Sequence, residues 1–307
     1  MSTATHAALA AEAAPASAVA DAFRLTAAQQ ALLPTADEVA FYREHGWYIS
    51  RQIIPEHVLA GAKAAAERYY RGDVDRPVRQ IGWTPDKGDV LRKNDFSMLS
   101  MDGISALVRW PLIGAVAARL EGIPAIRLWH DQLLYKPVDP PTRSSTVGWH
   151  TDRQYWKTCT SDHLITGWVP FHDCDETLGT VQMWDGSHRW AGDVQGMNFF
   201  ENNLALVEQQ AAAEGKPVKK VAMNLKLGQA SYHHCRTVHG SSANRGAHPR
   251  QSVAIHMQGA DNRWRELRRA NGSLISHSLD ELVRKDASGH PDYADPEVCP
   301  VLWSEPG

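Results

Sequence analysis

The sequence predicts a mainly β protein with flanking helices, built as a sandwich or a jelly-roll barrel. Helical periodicity is concentrated before Pro124, and short segments of strand-forming composition separated by turn residues follow it. These strands do not alternate with helices, which argues against βαβ units. The predicted strands cover residues 125–136, 149–156, 164–172, 179–184, 219–227, 230–238 and 251–258.

The N-terminal third predicts a leader followed by helices. Residues 1–33 form an Ala-rich leader, because the first 22 residues carry few large apolar side chains and cannot bury enough surface to offset ordering entropy. A helix is predicted from Thr35 or Asp37, the capping residues, to Gly46. Extended residues 47–50 and a second helix over 55–71 follow.

The connecting segments are predicted as follows. Residues 72–100 have weak periodicity and form a long excursion with little regular structure. A third helix spans 103–120 and stops at Gly122 and Pro124. The insertion 190–216 can hold a helix, and the tail beyond residue 261 begins with a helix-like segment, 264–269. The expected organisation is one domain over 34–307, with the β core at about 125–260, helical support at 35–122 and an extension at 261–307.

Composition restricts the class of partner. The chain has 307 residues, and 32 basic against 35 acidic side chains give a formal net charge of -3. Without a basic excess, we expect neither nucleic acid nor a membrane surface as partner, but a small molecule. The apolar runs are too short to span a bilayer, and the start lacks the basic region of a signal peptide. The 4 cysteines form no CxxC pair, so we expect reduced thiols and a cytoplasmic protein.

The stretch Trp149-His150-Thr151-Asp152 carries the clearest chemical signal. Side chains two residues apart on a strand point to one face, so His150 and Asp152 would converge. Two histidines and one carboxylate on one face of iron leave positions open for oxygen chemistry. The third ligand must come from elsewhere, and His233, His234 and His239 compete for it; His233 has the parity of His239 if their strand is regular.

Arg250 begins an apolar strand shortly after His239. Alternation places Arg250 and Ser252 on one face, and Val253, Ile255 and Met257 on the other. A guanidinium fork beside a hydroxyl matches the distal carboxylate of a dicarboxylate cosubstrate, which it can hold by two charge-assisted hydrogen bonds.

These motifs, together with Trp168, Gly186-Ser187-His188 and the run His239-Gly240-Ser241-Ser242-Ala243-Asn244, resemble the phytanoyl-CoA dioxygenase-like (PhyH) family of Fe(II)- and 2-oxoglutarate-dependent oxygenases. The resemblance covers about residues 35–257 and implies a double-stranded β-helix of the cupin-like, jelly-roll kind. It implies that His150, Asp152 and His239 bind iron and that Arg250 binds 2-oxoglutarate. Further residues that the resemblance assigns to the cosubstrate are Thr151, Trp168 and Ser241, with Gln132 and Lys136 as additional candidates.

The resemblance implies a dioxygenase that uses dioxygen, Fe(II) and 2-oxoglutarate to oxidise, most often to hydroxylate, a small organic substrate. A tailoring step in bacterial specialised metabolism is a common role in this family. Halogenating relatives carry a small residue in place of Asp152, so its carboxylate favours oxygenation. The alternatives are a fatty acyl-CoA hydroxylase, a cupin-like isomerase or hydrolase that needs no Arg250, and a binding protein without activity. The oligomeric state and the substrate stay open.

Overall fold

Strands and helices alternate little along the chain, as expected. The computed structural model describes residues 23–78, 81–82 and 89–305. The strands are β1 Trp47–Ile49, β2 Ile81–Gly82, β3 Arg92–Asp95, β4 Ala125–Lys136, β5 Val147–His150, β6 Leu164–Pro170, β7 Gln182–Trp184, β8 Lys220–Ala222, β9 Ser231–His234, β10 His239–Ser241, β11 Arg250–Gly259 and β12 Val301–Ser304. The α-helices are α1 Ala27–Gln30, α2 Ala36–His45, α3 Glu56–Tyr70, α4 Ser97–Ser100, α5 Asp102–Val108, α6 Pro111–Glu121 and α7 Leu204–Ala213.

Two antiparallel sheets form the core of the described residues. The larger, eight-stranded sheet has the order β1-β9-β6-β11-β4-β3-β2, with β12 also paired to β4. The smaller, four-stranded sheet has the order β5-β10-β7-β8. Side chains from both sheets line one internal cavity, so the sheets face one another. This arrangement confirms the predicted mainly β, jelly-roll fold with flanking helices.

Strand β11 lies at the centre of the larger sheet, between β4 and β6. Its alternation separates two environments, as predicted. Val253, Ile255 and Met257 are fully buried among the helices, and each such burial contributes roughly 1.5–3 kcal/mol. Arg250 and His256 point the other way, into the space between the sheets. Strand β11 therefore contributes one face to the hydrophobic core and the other face to the cavity between the sheets.

Helix α2 is delimited by the residues that the sequence indicated. The Thr35 hydroxyl accepts a hydrogen bond from the Glu38 backbone N–H, and the Glu38 carboxylate accepts one from the Thr35 N–H, which is a capping box. The helix ends at Gly46, whose φ of 78° is in the left-handed region. A Cβ at Gly46 would also lie only 2.3 Å from the His188 ring. The helix end and the following strand are thus set by local chemistry.

The single helix predicted over 103–120 is wrong. The structure has two helices, α5 and α6, separated at Arg109 and Trp110. The ring of Pro111 disfavours the helical conformation at the preceding residue, and Trp110 is extended with a ψ of 120°. By length and composition alone, the combined stretch Asp102–Glu121 could cross a membrane, but most of it is buried inside the protein, as in the core helix of a soluble protein.

Five of the seven predicted strands are shorter than expected. Those predicted over 164–172, 179–184 and 219–227 are observed as Leu164–Pro170, Gln182–Trp184 and Lys220–Ala222. The strand predicted over 149–156 ends at His150, and a 3₁₀ turn over Asp152–Gln154 follows. The strand predicted over 230–238 is interrupted after His234, and the chain resumes as β10 in the other sheet. The chain reverses at the turn residues 235–237, so regular alternation does not continue from β9 to β10.

The helix-like segment predicted over 264–269 is also wrong. Trp264 forms a β-bridge with Cys159, and Arg268 forms one with Leu274 across a turn at Gly272, where φ is 82°. The basic side chains therefore belong to an irregular hairpin. Farther along the tail, β12 joins the larger sheet through β4.

The predictions for the remaining segments have mixed outcomes. Residues 1–22 of the leader predicted over 1–33 lie outside the described residues. Helix α1 shows that the last part of the predicted leader is structured. The excursion 72–100 contains β2 and β3, which pair with one another and extend the larger sheet beyond β4, although residues 79–80 and 83–88 lie outside the described residues. The helix allowed in the insertion 190–216 is confirmed as α7.

Candidate active site

The three predicted metal ligands lie together between the sheets. His150 ends β5, His239 begins β10, and the two residues are directly paired across these strands. Asp152 follows two residues after His150, on the 3₁₀ turn. One nitrogen or oxygen atom from each of the three side chains lies within 4.8 Å of the others, and all three residues are buried. The structure therefore brings together a two-histidine, one-carboxylate set that could hold a metal ion.

The sequence suggested that strand alternation would bring His150 and Asp152 together. In the structure, a capped turn after His150 brings them together instead. Thr151 caps the turn: its hydroxyl accepts from the Gln154 backbone N–H, and the Gln154 side chain accepts from the Thr151 N–H. This capping box turns the chain immediately after His150 and directs the Asp152 carboxylate back toward the imidazoles. Thr151 caps the turn and is not among the residues that line the cavity between the sheets, and its predicted contact with the cosubstrate stays a prediction.

Both histidines present the nitrogen that a metal needs. Nδ1 of His150 lies 2.8 Å from the Gly148 carbonyl, and Nδ1 of His239 lies 3.0 Å from the Thr237 carbonyl. A carbonyl can only accept a hydrogen bond, so each Nδ1 carries the proton and each Nε2 keeps its lone pair. Backbone contacts of this kind fix the tautomer and orientation of metal-binding histidines. The donor set therefore fits a metal ion such as Fe(II).

The two oxygens of Asp152 have different surroundings. Oδ1 lies 3.8 Å from Nε2 of His239. Oδ2 accepts a hydrogen bond of 2.6 Å from the Thr166 hydroxyl, and Nε2 of His233 lies 3.2 Å away. The His233 ring centre lies 4.2 Å from that of His239, so the two imidazoles are neighbours beside the carboxylate. The sequence could not separate the two histidines by parity, whereas the structure pairs His239 directly with His150 across β10 and β5 and places His233 on β9, in the other sheet.

Burial and mutual proximity control the protonation of the three candidate metal ligands. Burial raises the pKa of Asp152, but the neighbouring His239 and His256 imidazoles and the hydrogen bond with His233 lower it well below its usual value. Burial lowers the pKa of His150 to about 4, and burial with the neighbouring His150 and His233 lowers that of His239 well below 6.5. At neutral pH the set is a carboxylate with two neutral imidazoles, which is the protonation state that binds a metal.

Arg250 lies at the far end of the same cavity, which we call the inner cavity. Its guanidinium is 2% exposed and donates one hydrogen bond to the Gly179 carbonyl. The guanidinium carbon lies 5.3 Å from the centre of the Trp168 ring, and Nε has no hydrogen-bond partner among the described residues. Unused donors on a buried guanidinium suit a carboxylate ligand.

The other predicted cosubstrate residues surround this arginine at different depths. Trp168 lines the inner cavity, and its indole N–H donates to the Ser252 hydroxyl at 3.0 Å. Ser241 also lines it and accepts a hydrogen bond from Lys136 at 2.7 Å. Lys136 is paired with Arg250 across β4 and β11, and burial and the neighbouring Arg250 hold its pKa well below the usual value. Ser252 and Lys136 therefore support the cavity wall from behind.

A second cavity, which we call the outer cavity, meets the inner one at the candidate metal ligands. Gln132, His150, Asp152 and Phe199 line both. The segments 72–100 and 190–216 contribute to its wall through Lys93, Asp95, Phe199 and Phe200. The tail contributes as well, through residues 276–278, which the sequence gave no reason to place there.

Sequence reasoning missed several polar residues at the site. His256 shares the β11 face of Arg250 and Ser252, so alternation could have indicated it. Its ring lies beside Thr166, which is its pairing partner on β6. His130 is paired with His256 across β4 and β11, and only the strand register reveals this. His277 comes from the tail and has no local signal.

The sequence profile of the phytanoyl-CoA dioxygenase (PhyH) family matches residues 42–252. The chain belongs to this family. Family membership and the donor set identify it as a non-haem Fe(II)- and 2-oxoglutarate-dependent dioxygenase. The peroxisomal phytanoyl-CoA dioxygenase of Rattus norvegicus is 19% identical over 256 residues, covering 80% of this chain and 74% of the relative.

Solved structures share the fold of this family member. The non-haem α-ketoglutarate-dependent carbocyclase SnoK from nogalamycin biosynthesis superposes with a TM-score of 0.66 at 22% identity, covering 87% of this chain and 96% of SnoK. The epimerase SnoN, in complex with Fe3+, α-ketoglutarate and nogalamycin RO, has a TM-score of 0.64 at 23% identity, covering 90% of this chain and 99% of SnoN. At these identities the likeness concerns the fold.

Proposed function

We propose that His150, Asp152 and His239 bind Fe(II), that Arg250 anchors 2-oxoglutarate, and that the enzyme hydroxylates a small organic molecule in the outer cavity. The observation that carries this proposal is the shared inner cavity, with the three metal-ligand candidates at one end and a buried guanidinium with free donors at the other. A dicarboxylate can bridge these two positions.

Each group has a defined task in this scheme. The bound iron and 2-oxoglutarate supply the oxidising chemistry when both are present. Thr166 and His233 hold Oδ2 of Asp152, so that Oδ1 stays on the side of His239. Arg250 and Trp168 fix the far carboxylate of the cosubstrate, and burial of this end excludes water. Ser241, Ser252, Gln132 and Lys136 complete the wall.

The domain organisation belongs to the same proposal. We treat residues 34–307 as one catalytic domain, because β12 pairs with the central strand β4 and the tail contributes His277 to the outer cavity. All four cysteines are free and buried, which is compatible with the proposed cytoplasmic location. A tailoring step of bacterial specialised metabolism is the proposed role, and SnoK and SnoN from nogalamycin biosynthesis, which share the fold, act in such a setting.

The test is anaerobic binding of 2-oxoglutarate to the iron-loaded protein by calorimetry, followed by measurement of succinate release in air. Wild type should bind 2-oxoglutarate and release succinate. Arg250→Ala should weaken 2-oxoglutarate binding by at least about 100-fold, since a buried charge-assisted pair is lost. The control is Arg268→Ala, which removes an exposed arginine paired with Glu266 and should leave binding unchanged.

Two results would contradict the proposal. One is the absence of 2-oxoglutarate binding in wild-type protein that retains iron. The other is metal-dependent turnover that survives in Arg250→Ala without any change in the cosubstrate requirement, which is the behaviour of a cupin-like isomerase or hydrolase.

A further inference from the structure

A cluster of three histidines lies between the outer and inner cavities, next to the candidate metal site. We define the histidine cluster as His130, His256 and His277. The ring centres of His130 and His256 are 4.5 Å apart, and those of His130 and His277 are 5.1 Å apart. His130 and His277 line the outer cavity, while His256 lines the inner one. His130 and His277 have no part in holding iron or 2-oxoglutarate under the proposed function.

Buried nitrogens of this cluster lack partners. His130 is 2% exposed, and neither of its ring nitrogens has a hydrogen-bond partner among the described residues. Nε2 of His256 also lacks one. Buried polar groups are nearly always hydrogen-bonded, so unpaired nitrogens on residues that line a cavity indicate a ligand.

Neighbouring contacts define which proton each ring carries. The single hydroxyl proton of Thr166 goes to Asp152, so Nδ1 of His256 must donate to the Thr166 oxygen, 2.7 Å away. Nε2 of His256 is then a free acceptor. In contrast, Nδ1 of His277 accepts from the Leu279 backbone N–H at 3.1 Å, which leaves Nε2 of His277 as a donor. The cluster thus offers both acceptors and donors.

The cavity carries little net charge beyond the metal ligands. Lys93 and Asp95 both line it, and their charged atoms lie 3.8 Å apart, so they offset one another. Burial lowers the pKa of His130 well below 6.5 and that of His277 to about 4, which keeps both rings neutral near pH 7. Nothing in the histidine cluster provides a countercharge for a phosphate or a carboxylate.

Four aromatic side chains form a large part of the remaining wall, beside Gln132, Ser276 and Ser278. Trp156, Tyr155, Phe199 and Phe200 line the outer cavity. The Trp156 ring is 6.1 Å from that of His130, and Phe199 lies 5.1 Å from the ring of His150. Aromatic faces beside neutral polar edges favour a ligand with a flat apolar body and hydroxyl groups at its rim.

We propose that the outer cavity binds an uncharged, hydroxylated ring compound, whose hydroxyl groups pair with the histidine cluster while its ring packs on Trp156 and Phe199. The proposal rests on the proposed function, because it assigns the substrate class of the same site. An acyl chain would fill the cavity but leave the cluster nitrogens unpaired, which disfavours it by about tenfold or more.

The test is equilibrium dialysis with the full chain, loaded anaerobically with iron and 2-oxoglutarate. The probes are 2,6-dihydroxynaphthalene, naphthalene, which differs from it only in lacking the hydroxyl groups, and hexadecanoyl-CoA. Wild type should bind 2,6-dihydroxynaphthalene at least about tenfold more tightly than either other probe. His130→Phe should lose this preference, and His130→Gln, which keeps a donor and an acceptor, should retain most of it. His57→Phe, an exposed histidine remote from the cavity lining, is the control.

The outcomes separate this inference from the proposed function, because 2-oxoglutarate binding is measured in parallel. Normal 2-oxoglutarate binding with equal affinity for 2,6-dihydroxynaphthalene and naphthalene, or with tighter binding of hexadecanoyl-CoA, overturns the inference alone. A preference for 2,6-dihydroxynaphthalene that depends on His130 supports it, and if 2-oxoglutarate then fails to bind, only the proposed function is lost. Because the probe comparison in wild type needs no variant, misfolding of His130→Phe cannot hide the answer.

Discussion

Replacement of Thr166 by valine tests how the protein positions its candidate metal carboxylate. The hydroxyl of Thr166 donates to Oδ2 of Asp152 at 2.6 Å and accepts from Nδ1 of His256 at 2.7 Å. Valine has nearly the same shape but neither donates nor accepts. Thr166→Val should therefore leave the β6 backbone in place while it frees the carboxylate to rotate.

The expected magnitude follows from these two contacts. A hydrogen bond to a charged group contributes roughly 1.5–3 kcal/mol. Without it, Asp152 must be reoriented when the metal binds, which weakens metal binding by about 10- to 150-fold. Loss of a residue that orients a metal ligand typically costs about 10- to 100-fold in affinity, in agreement with this figure.

Competition with a chelator under anaerobic conditions measures the Fe(II) affinity. Thr166→Ser retains the hydroxyl and should bind iron nearly as wild type does. The matched control is Thr180→Val: Thr180 is equally buried, but its hydroxyl donates to the Met223 carbonyl, away from the metal ligands. That variant should lose about 1 kcal/mol of folding stability and keep its iron affinity.

Iron affinity of Thr166→Val within about threefold of wild type would refute the reasoning, since the carboxylate would then need no support from Thr166. Equal loss of affinity in Thr180→Val would refute it as well, because the effect would then be a general consequence of destabilisation.

Three other predictions concern ligand choice, pH and the core. His239→Asn should abolish iron binding, whereas His233→Asn should weaken it only on the order of 10-fold, since His233 contacts Oδ2 of Asp152 and is not one of the three converging metal-ligand candidates; iron content after dialysis distinguishes them, and equal losses would contradict the assignment. The pKa values of His150 and His277 are lowered to about 4 from 6.5, so the unfolded chain takes up protons first as the pH falls. Each of these two histidines should therefore reduce the free energy of unfolding of the metal-free protein by up to about 1.4 kcal/mol for each pH unit as the pH falls from 6.5 to 4. Urea denaturation across this range measures the loss, and a free energy of unfolding that does not change with pH would contradict the prediction. Ile255→Ala, at a fully buried position among the helices, should cost roughly 2–5 kcal/mol in thermal or urea unfolding, and a loss below about 1 kcal/mol would show that this face is not well packed.

Local features of the fold were accessible from the sequence where neighbouring residues decide them. Thr35 and Gly46 delimit α2 through a capping box and a left-handed turn, both short-range effects. The alternation of β11 was predicted correctly because one face is wholly apolar. The break at Trp110 was also readable, since Pro111 restricts the residue before it; the apolar stripe over 103–120 obscured this signal.

The candidate site was predictable in its residue types and less so in its geometry. The pair His150 and Asp152 was identified, but their convergence depends on the capped turn at Thr151 and not on a continuous strand. Strand parity could not distinguish His233 from His239, because the chain leaves one sheet and enters the other between them.

The sequence by itself determined the chemistry that the chain carries: two imidazoles, a carboxylate and a strand-borne guanidinium, in an order typical of one oxygenase family. Only the tertiary structure decided which side chains meet. The register between β4 and β11 places His130 opposite His256, and the tail adds His277 to them. These contacts join residues far apart in the chain, and strand pairing and packing, which no local pattern records, bring them together.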